Sequence, residues 1–226
     1  MPPSISFSGG SWIGLCYYLG AVSYLLTIVP EDIQSLGTSA GSWAALALQL
    51  KGRLDINDIK LKLYTLMDDV GKFPYNVEGK IRKLFDHLFT FDPSTVPGVQ
   101  NNLHVSVTRI RLFGFKNEML HGFRTKKSVQ DALVQSSRLP LLVGTDWTID
   151  GGLTKNQPVI DANTVKVNCI TGLLGADIFP SKPINLLNVL VPPSLRKREK
   201  IYMMGLEDTR SFFEQRLAKE GSYFPE

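Results

Sequence analysis

The pentapeptide Gly37-Thr38-Ser39-Ala40-Gly41 limits what this chain can fold into more than any other stretch. It closes a strand-like run from Ile33 to Thr38 and opens onto Trp43-Ala44-Ala45-Leu46-Ala47-Leu48, a buried helix of strong helix formers. The pattern G-x-S-x-G at a strand-to-helix junction is a nucleophile elbow, in which a sharp turn pushes the serine hydroxyl out of the sheet edge. Gly37 and Gly41 are required because strand and helix backbones approach closely there. The helix N-terminus then directs its free N–H groups toward any oxyanion formed beside Ser39.

The rest of the chain supports an α/β fold around that elbow. Ile5 to Ser8 reads as a first strand ending in Gly9-Gly10, followed by a helix from about Trp12 to Leu26 that Pro30 stops. Ile56 to Val70 and Val77 to Leu88 are amphipathic, with Ile59, Leu63, Leu66, Met67 and Val70 on one face of the first. Leu103 to Ile110 alternates as a strand, and Lys116 to Leu120 is placed to pair with it as a hairpin. Ser128 to Ser136 is a short helix, Trp147 to Ile149 a strand ending at Asp150-Gly151-Gly152, and Val165 to Ile170 another strand. The region around Pro93 to Gly98 reads as a loop, Gly172 to Pro193 has no clear pattern, and Glu199 to Lys219 is a C-terminal helix. Strands alternating with helices predict a mostly parallel central sheet.

With 226 residues, 43% hydrophobic and 20% charged, the expectation is a single domain, 1–226, that buries its own core. Cys16 and Cys169 are the only cysteines, with no Cys/His cluster, so neither a disulfide framework nor a metal site is expected. No basic leader precedes the first strand, which predicts an intracellular protein that is not secreted, either cytoplasmic or peripheral to a membrane. Ile13 to Val29 is apolar but interrupted by Gly14, Gly20, Ser23 and Thr27, and its place between two strands favours a buried helix over a span. A net charge of +4 favours anionic lipid surfaces weakly, and no motif for nucleic acid accompanies it.

Three elements fall at the carboxyl ends of predicted strands, where open α/β sheets place their sites. The turn Ser8-Gly9-Gly10-Ser11 offers backbone N–H donors from Gly10 and Ser11, each worth about 3–4 kcal/mol to an oxyanion in acyl transfer. Ser39 is the second element, and the carboxylate of Asp150, fixed by Gly151-Gly152, is the third. Asp150 reaches the serine if their strands are neighbours. Histidine discriminates between mechanisms, because a Ser, Asp, His order needs a histidine after the acid. His87, His104 and His121 all precede Asp150. A triad from Asp86 or Asp92 with His104 or His121 stays open, and a Ser–Asp dyad is the alternative.

These residues resemble the patatin-like phospholipases, within them the branch of adipose triglyceride lipase and adiponutrin. That family combines a glycine-rich oxyanion motif, a G-x-S-x-G serine and a D-G-[GA] aspartate without histidine, and all three occur here in order. The likeness extends through Leu19-Gly20-Ala21-Val22, Val107-Thr108-Arg109, Ser136-Ser137-Arg138-Leu139-Pro140 and Asp150 to Pro158. It implies a three-layer α/β/α fold, a catalytic Ser39–Asp150 dyad, an oxyanion hole at Gly9, Gly10 and Ser11, and motif glycines Gly14, Gly37, Gly41, Gly151 and Gly152, with no cofactor. Ser11 stands where the family has a middle glycine, which costs on the order of 1 kcal/mol if that backbone has φ > 0.

The implied reaction is acyl transfer from a lipid ester at a membrane or lipid-droplet surface, through an acyl-serine intermediate. Asp150 as its base requires a pKa raised by burial. A transacylase would use the same dyad, and Ser11 keeps a weakly catalytic lipid-binding protein in contention. A nucleotide-phosphate loop fits poorly, since no Walker lysine follows the glycine turn. Trp12 and Trp43 are expected in the core or in an acyl pocket, and Leu61 to Met67 in the core or in a membrane-docking or lid element. Arg196-Lys197-Arg198-Glu199-Lys200 is expected at a solvated helix start or on anionic lipid.

Overall fold

Ser4–Phe7 (β1) lies inside the sheet of the computed structural model, which describes residues 3–72, 77–138, 147–170, 175–185 and 191–221. All four β1 residues are buried, as expected of a strand covered on both faces. Gln34–Thr38 (β2) pairs parallel with it on one side and Val165–Val167 (β6) parallel on the other. Leu103–Arg111 (β3) runs parallel to β2, and Gly114–Leu120 (β4) returns antiparallel as the hairpin partner. Thr148–Asp150 (β5) also pairs antiparallel with β3 and leads into the short helix Gly152–Lys155 (α7). The protein is therefore α/β with a mixed, mostly parallel sheet, ordered β4-β3-β2-β1-β6.

Ser11–Ile28 (α1) is long and apolar enough to cross a membrane by length and composition, yet its interior residues from Ile13 to Leu25 are largely buried in the core. It packs against Ala40–Gln49 (α2) and against the C-terminal helix Leu195–Glu220 (α8). Gly20 of α1 and Gly205 of α8 let those two backbones touch, since a Cβ at either would strike a carbonyl of the other helix. Ile56–Lys72 (α3) and Val77–Leu88 (α4) pack on each other, and Ile59, Leu63, Met67 and Val70 turn into the core as their spacing predicts.

Several bounds differ from the sequence reading, each for a local reason. Lys126–Ser136 (α6) starts two residues early because Thr125 caps it, its Oγ1 accepting the Ser128 N–H at 3.1 Å. The Pro93 to Gly98 loop contains two short turns of helix, Pro93–Thr95 and Pro97–Asn101 (α5), too brief to show periodicity. α8 starts at Leu195 rather than Glu199. Arg198 is buried there and donates to the carbonyls of Pro193 and Tyr64, at 2.6 and 2.8 Å, and to Asp68 at 2.6 Å. The basic cluster is thus divided, and Arg198 is unavailable to lipid. Leu139-Pro140, Gly172 and part of the unpatterned stretch that follows it lie outside the described residues.

Candidate active site

Ser39 sits between β2 and α2 at φ 52°, ψ −124°, a conformation that L-residues adopt at a cost. The two motif glycines permit it: a Cβ on Gly37 would strike the Gly41 carbonyl, and one on Gly41 would meet the carbonyls of Phe7 and Ser8. Hydrogen bonds then lock the turn. The Ser39 N–H donates to Ser136 Oγ at 2.8 Å, Ser136 donates to the Ser106 carbonyl at 2.6 Å, and Ser42 Oγ donates to the Ser39 carbonyl at 2.6 Å. Ser39 itself is 7% exposed.

Sheet register brings Asp150 to it. β2 ends with Thr38 opposite Ser106 of β3, and β5 ends with Asp150 opposite Val107, the next residue. A strand has two edges, and β4 occupies the other one over Val105 to Arg111. β2 and β5 therefore share one edge of β3 and meet head to head. The expected contact is made by abutting ends rather than by side-by-side strands. The Ser39 hydroxyl interacts with the Asp150 carboxylate, and the Gly152 N–H donates to Asp150 Oδ1 at 2.7 Å. Both interactions favour the carboxylate, but burial outweighs them and holds its pKa above the usual range. The Asp150 N–H donates to the Arg138 carbonyl at 2.8 Å and the Gly151 N–H to that of Ser136 at 3.3 Å, so the end of α6 carries both halves of the pair. Gly151 is held against the Ser106 carbonyl, where a Cβ would not fit.

The glycine turn lies against the same point. A Cβ on Gly9 would stand 3.5 Å from that of Ser39. The Gly9 N–H is not available to a ligand: it donates to Asn156, at 3.0 Å to Oδ1 and 3.2 Å to the carbonyl. Gly10 and Ser11, at the start of α1, donate to no other described residue. Gly10 is extended, and its need for glycine comes from Cys169 Sγ, which a Cβ would strike. Ser11 has φ 49°, so serine occupies a left-handed position. Gly14 packs on Ala40, one turn along α1.

From Ser11 and Ser39 an apolar cavity of about 450 Å³ runs between the helices. Trp12, Leu15, Leu19 and Val22 line it from α1, and the small side chains of Ala40, Ala44 and Ala47 leave room along α2. Ile59, Leu63 and Leu66 of α3 and Leu84 and Leu88 of α4 close the far side. Trp43, half-buried, is a wall of this cavity and stacks edge-on with Phe85. The two tryptophans and the α3 face are thus core and cavity wall at once, while Leu61 is exposed.

The histidines stand apart. His104 and His121 face each other at 5.6 Å, and burial together with His121 lowers the His104 pKa. His87 is exposed, its ring bonded to the Lys83 carbonyl. Asp86 pairs with Lys126, and Asp92 binds Ser94, so neither acid orients an imidazole among the described residues. No group of three or more potential metal ligands occurs among those residues either. Sequence reasoning gave no role to Ser136, Asn156 or Cys169, which set the elbow and the glycine turn. Ser136 and Asn156 do sit in the stretches that flank the motifs.

No family model matches the chain. Human patatin-like phospholipase domain-containing protein 4 is 26% identical to it over 92% of this chain and 95% of its own length. The chain is homologous to the patatin-like phospholipase domain proteins. The 1-acylglycerol-3-phosphate O-acyltransferases Pnpla3 of Mus musculus and PNPLA3 of Homo sapiens are 30% and 27% identical over 71% and 94% of this chain. The chain spans only 42% and 51% of those two relatives. Among solved structures, VipD from Legionella pneumophila aligns with TM-score 0.49 at 12% identity, over 95% of this chain and 67% of its own.

Proposed function

We propose that this patatin-like domain is a lipid acyl hydrolase in which Ser39 is the nucleophile and Asp150 the general base. The observation that carries the reading is the Ser39–Asp150 contact, with Ser39 at the polar end of an apolar cavity. Asp150 takes the Ser39 proton as the hydroxyl oxygen attacks the ester carbonyl. The N–H groups of Gly10 and Ser11 hold the oxyanion, with Gly9 serving as a spacer fixed by Asn156. Asp150 then protonates the leaving alcohol, and water attacks acyl-Ser39 with Asp150 again as base. The cavity is lined almost wholly by apolar side chains beyond Ser39, which suits it to an acyl chain. The substrate class is therefore a phospholipid, lysophospholipid or acylglycerol whose acyl chain enters the cavity.

The names of the mouse and human acyltransferase relatives support a second reading, transfer of the acyl group to an alcohol acceptor by the same residues. Fluorophosphonate labelling and fatty-acid release from mixed lipid vesicles test the first reading. Ser39→Ala and Asp150→Asn should each lose release by about 10³-fold or more, and only a chain that retains Ser39 should label. Adding monoacylglycerol or lysophospholipid separates the two activities, since new ester would identify transfer. A wild type that neither labels nor releases fatty acid refutes both.

A further inference from the structure

β3 outruns its parallel neighbour. β2 leaves it after Ser106, whereas β3 continues to Arg111 before turning into β4. At about 3.3 Å per residue, that turn stands on the order of 17 Å beyond the level of Ser39 and Asp150. It projects from the carboxyl-end edge of the sheet, the edge that carries both residues. The turn reads Arg111-Leu112-Phe113-Gly114-Phe115-Lys116, and every one of these residues is exposed. Leu112 is 90% exposed, Phe113 96% and Phe115 60%. Trp147, 63% exposed, joins them: its carbonyl accepts the Ile110 N–H at 2.8 Å, and Phe115 lies opposite Ile110 on the other side. Isolated exposed apolar residues are ordinary, but four large ones gathered at one strand end mark a contact surface.

The charges indicate what it contacts. Arg109 is paired with Glu118 across the hairpin. Arg111 and Lys116, which flank the apolar tip on its two strands, have no ion-pair partner among the described residues. A convex apolar tip with a cation on each side fits a deformable apolar phase under a layer of anions, the arrangement of an interfacial anchor. We propose that this hairpin end is a wedge that inserts into an anionic lipid surface, with Leu112, Phe113, Phe115 and Trp147 at the acyl boundary and Arg111 and Lys116 on headgroup phosphates. Insertion would hold the Ser39 edge of the sheet toward the lipid. The inference rests on the lipid-ester reading for its purpose, but not for its test.

The test is co-sedimentation of the full chain with phosphatidylcholine vesicles, with and without phosphatidylserine, at low and high salt. The double variant Leu112→Ser with Phe113→Ser should lose at least about tenfold in affinity for both vesicle types. The double variant Arg111→Glu with Lys116→Glu should lose about fivefold or more per cation on phosphatidylserine vesicles at low salt, and little at high salt. Fluorophosphonate labelling and hydrolysis of a soluble short-chain ester should match wild type in both, which also shows that the variants fold. Ser39→Ala should bind vesicles as wild type does, so failure of the dyad and failure of the wedge give different results. Unchanged vesicle binding after the Leu112 and Phe113 substitutions overturns the proposal. So does a wild-type dimer that those substitutions dissociate without altering vesicle binding.

Discussion

Comparing Ser39→Gly with Ser39→Ala isolates the strain at the elbow. Both substitutions remove the hydroxyl and its interaction with Asp150, so they differ only in the Cβ and the freedom of the backbone. At φ 52°, ψ −124° a residue with a Cβ carries about 1–3 kcal/mol of backbone strain that glycine does not. Glycine in turn loses more conformational entropy on folding, about 0.4–1 kcal/mol. The balance leaves Ser39→Gly more stable than Ser39→Ala by about 1 kcal/mol, a rise in Tm of about 2–4 °C for a chain of this size. Urea and thermal denaturation followed by circular dichroism measure both quantities, and the slopes on urea should agree because the same surface is exposed. Equal stability, or a more stable alanine variant, would mean that the turn stores no strain and that Gly37 and Gly41 fully relax it.

Three further perturbations bear on the same site. Ser136→Ala removes the acceptor of the buried Ser39 N–H, so it should cost about 1–3 kcal/mol of stability and lower turnover with little change in KM; full turnover would dismiss Ser136 as a positioning residue. Because burial raises Asp150, the folded state binds its proton more tightly than the unfolded chain. That contribution is complete below about pH 4 and is lost as pH rises through the folded pKa. Asp150→Asn should therefore gain stability relative to wild type as pH rises from about 4, and the acid limb of wild-type kcat/KM should have its midpoint above that value; a midpoint at or below it contradicts the raised base. Ser11→Gly should relieve a left-handed serine at φ 49° and add up to about 1 kcal/mol of stability, while turnover, which uses only the N–H, stays near wild type.

Local signals in the sequence revealed the pieces of this site, and long-range geometry then assembled them. Gly37, Ser39 and Gly41 were legible because a strand pattern, a turn and a helix pattern meet there, and the structure puts β2 and α2 where those patterns change. The direction of the Asp150 pKa also followed from placing an acid between apolar strands. What no periodicity encodes is that β5 is only three residues long and occupies the part of the β3 edge that β2 leaves vacant. Ser136 escaped notice for a related reason. Its role depends on a single hydrogen bond across 97 residues of sequence, and a buried serine at a helix end looks like any other. Arg198 misled in the opposite sense, since a run of cations reads as solvated until one of them is found capping the Tyr64 and Pro193 carbonyls.

The head-to-head meeting of β2 and β5 also bears on how the proposed chemistry would proceed without an imidazole. In a Ser–His–acid site the histidine bridges nucleophile and carboxylate, and the acid can stay fully ionised because the imidazole accepts the proton. Here Thr38 and Asp150 face consecutive residues of one strand, so the hydroxyl and the carboxylate meet directly and leave no gap for a ring between them. The carboxylate must then accept the proton itself, and an aspartate at its ordinary pKa near 4 is a poor acceptor at neutral pH. Burial supplies the correction. The same abutment that excludes a histidine also shields Asp150 from most of its water, while the Ser39 hydroxyl and one N–H from Gly152 orient its carboxylate without stabilising the charge enough to reverse the shift. A further, charged donor on Asp150, such as an arginine introduced beside it, would restore the ordinary pKa and remove the base. In the proposed reaction, the sparse hydrogen bonding of this acid is therefore as necessary as its contact with Ser39.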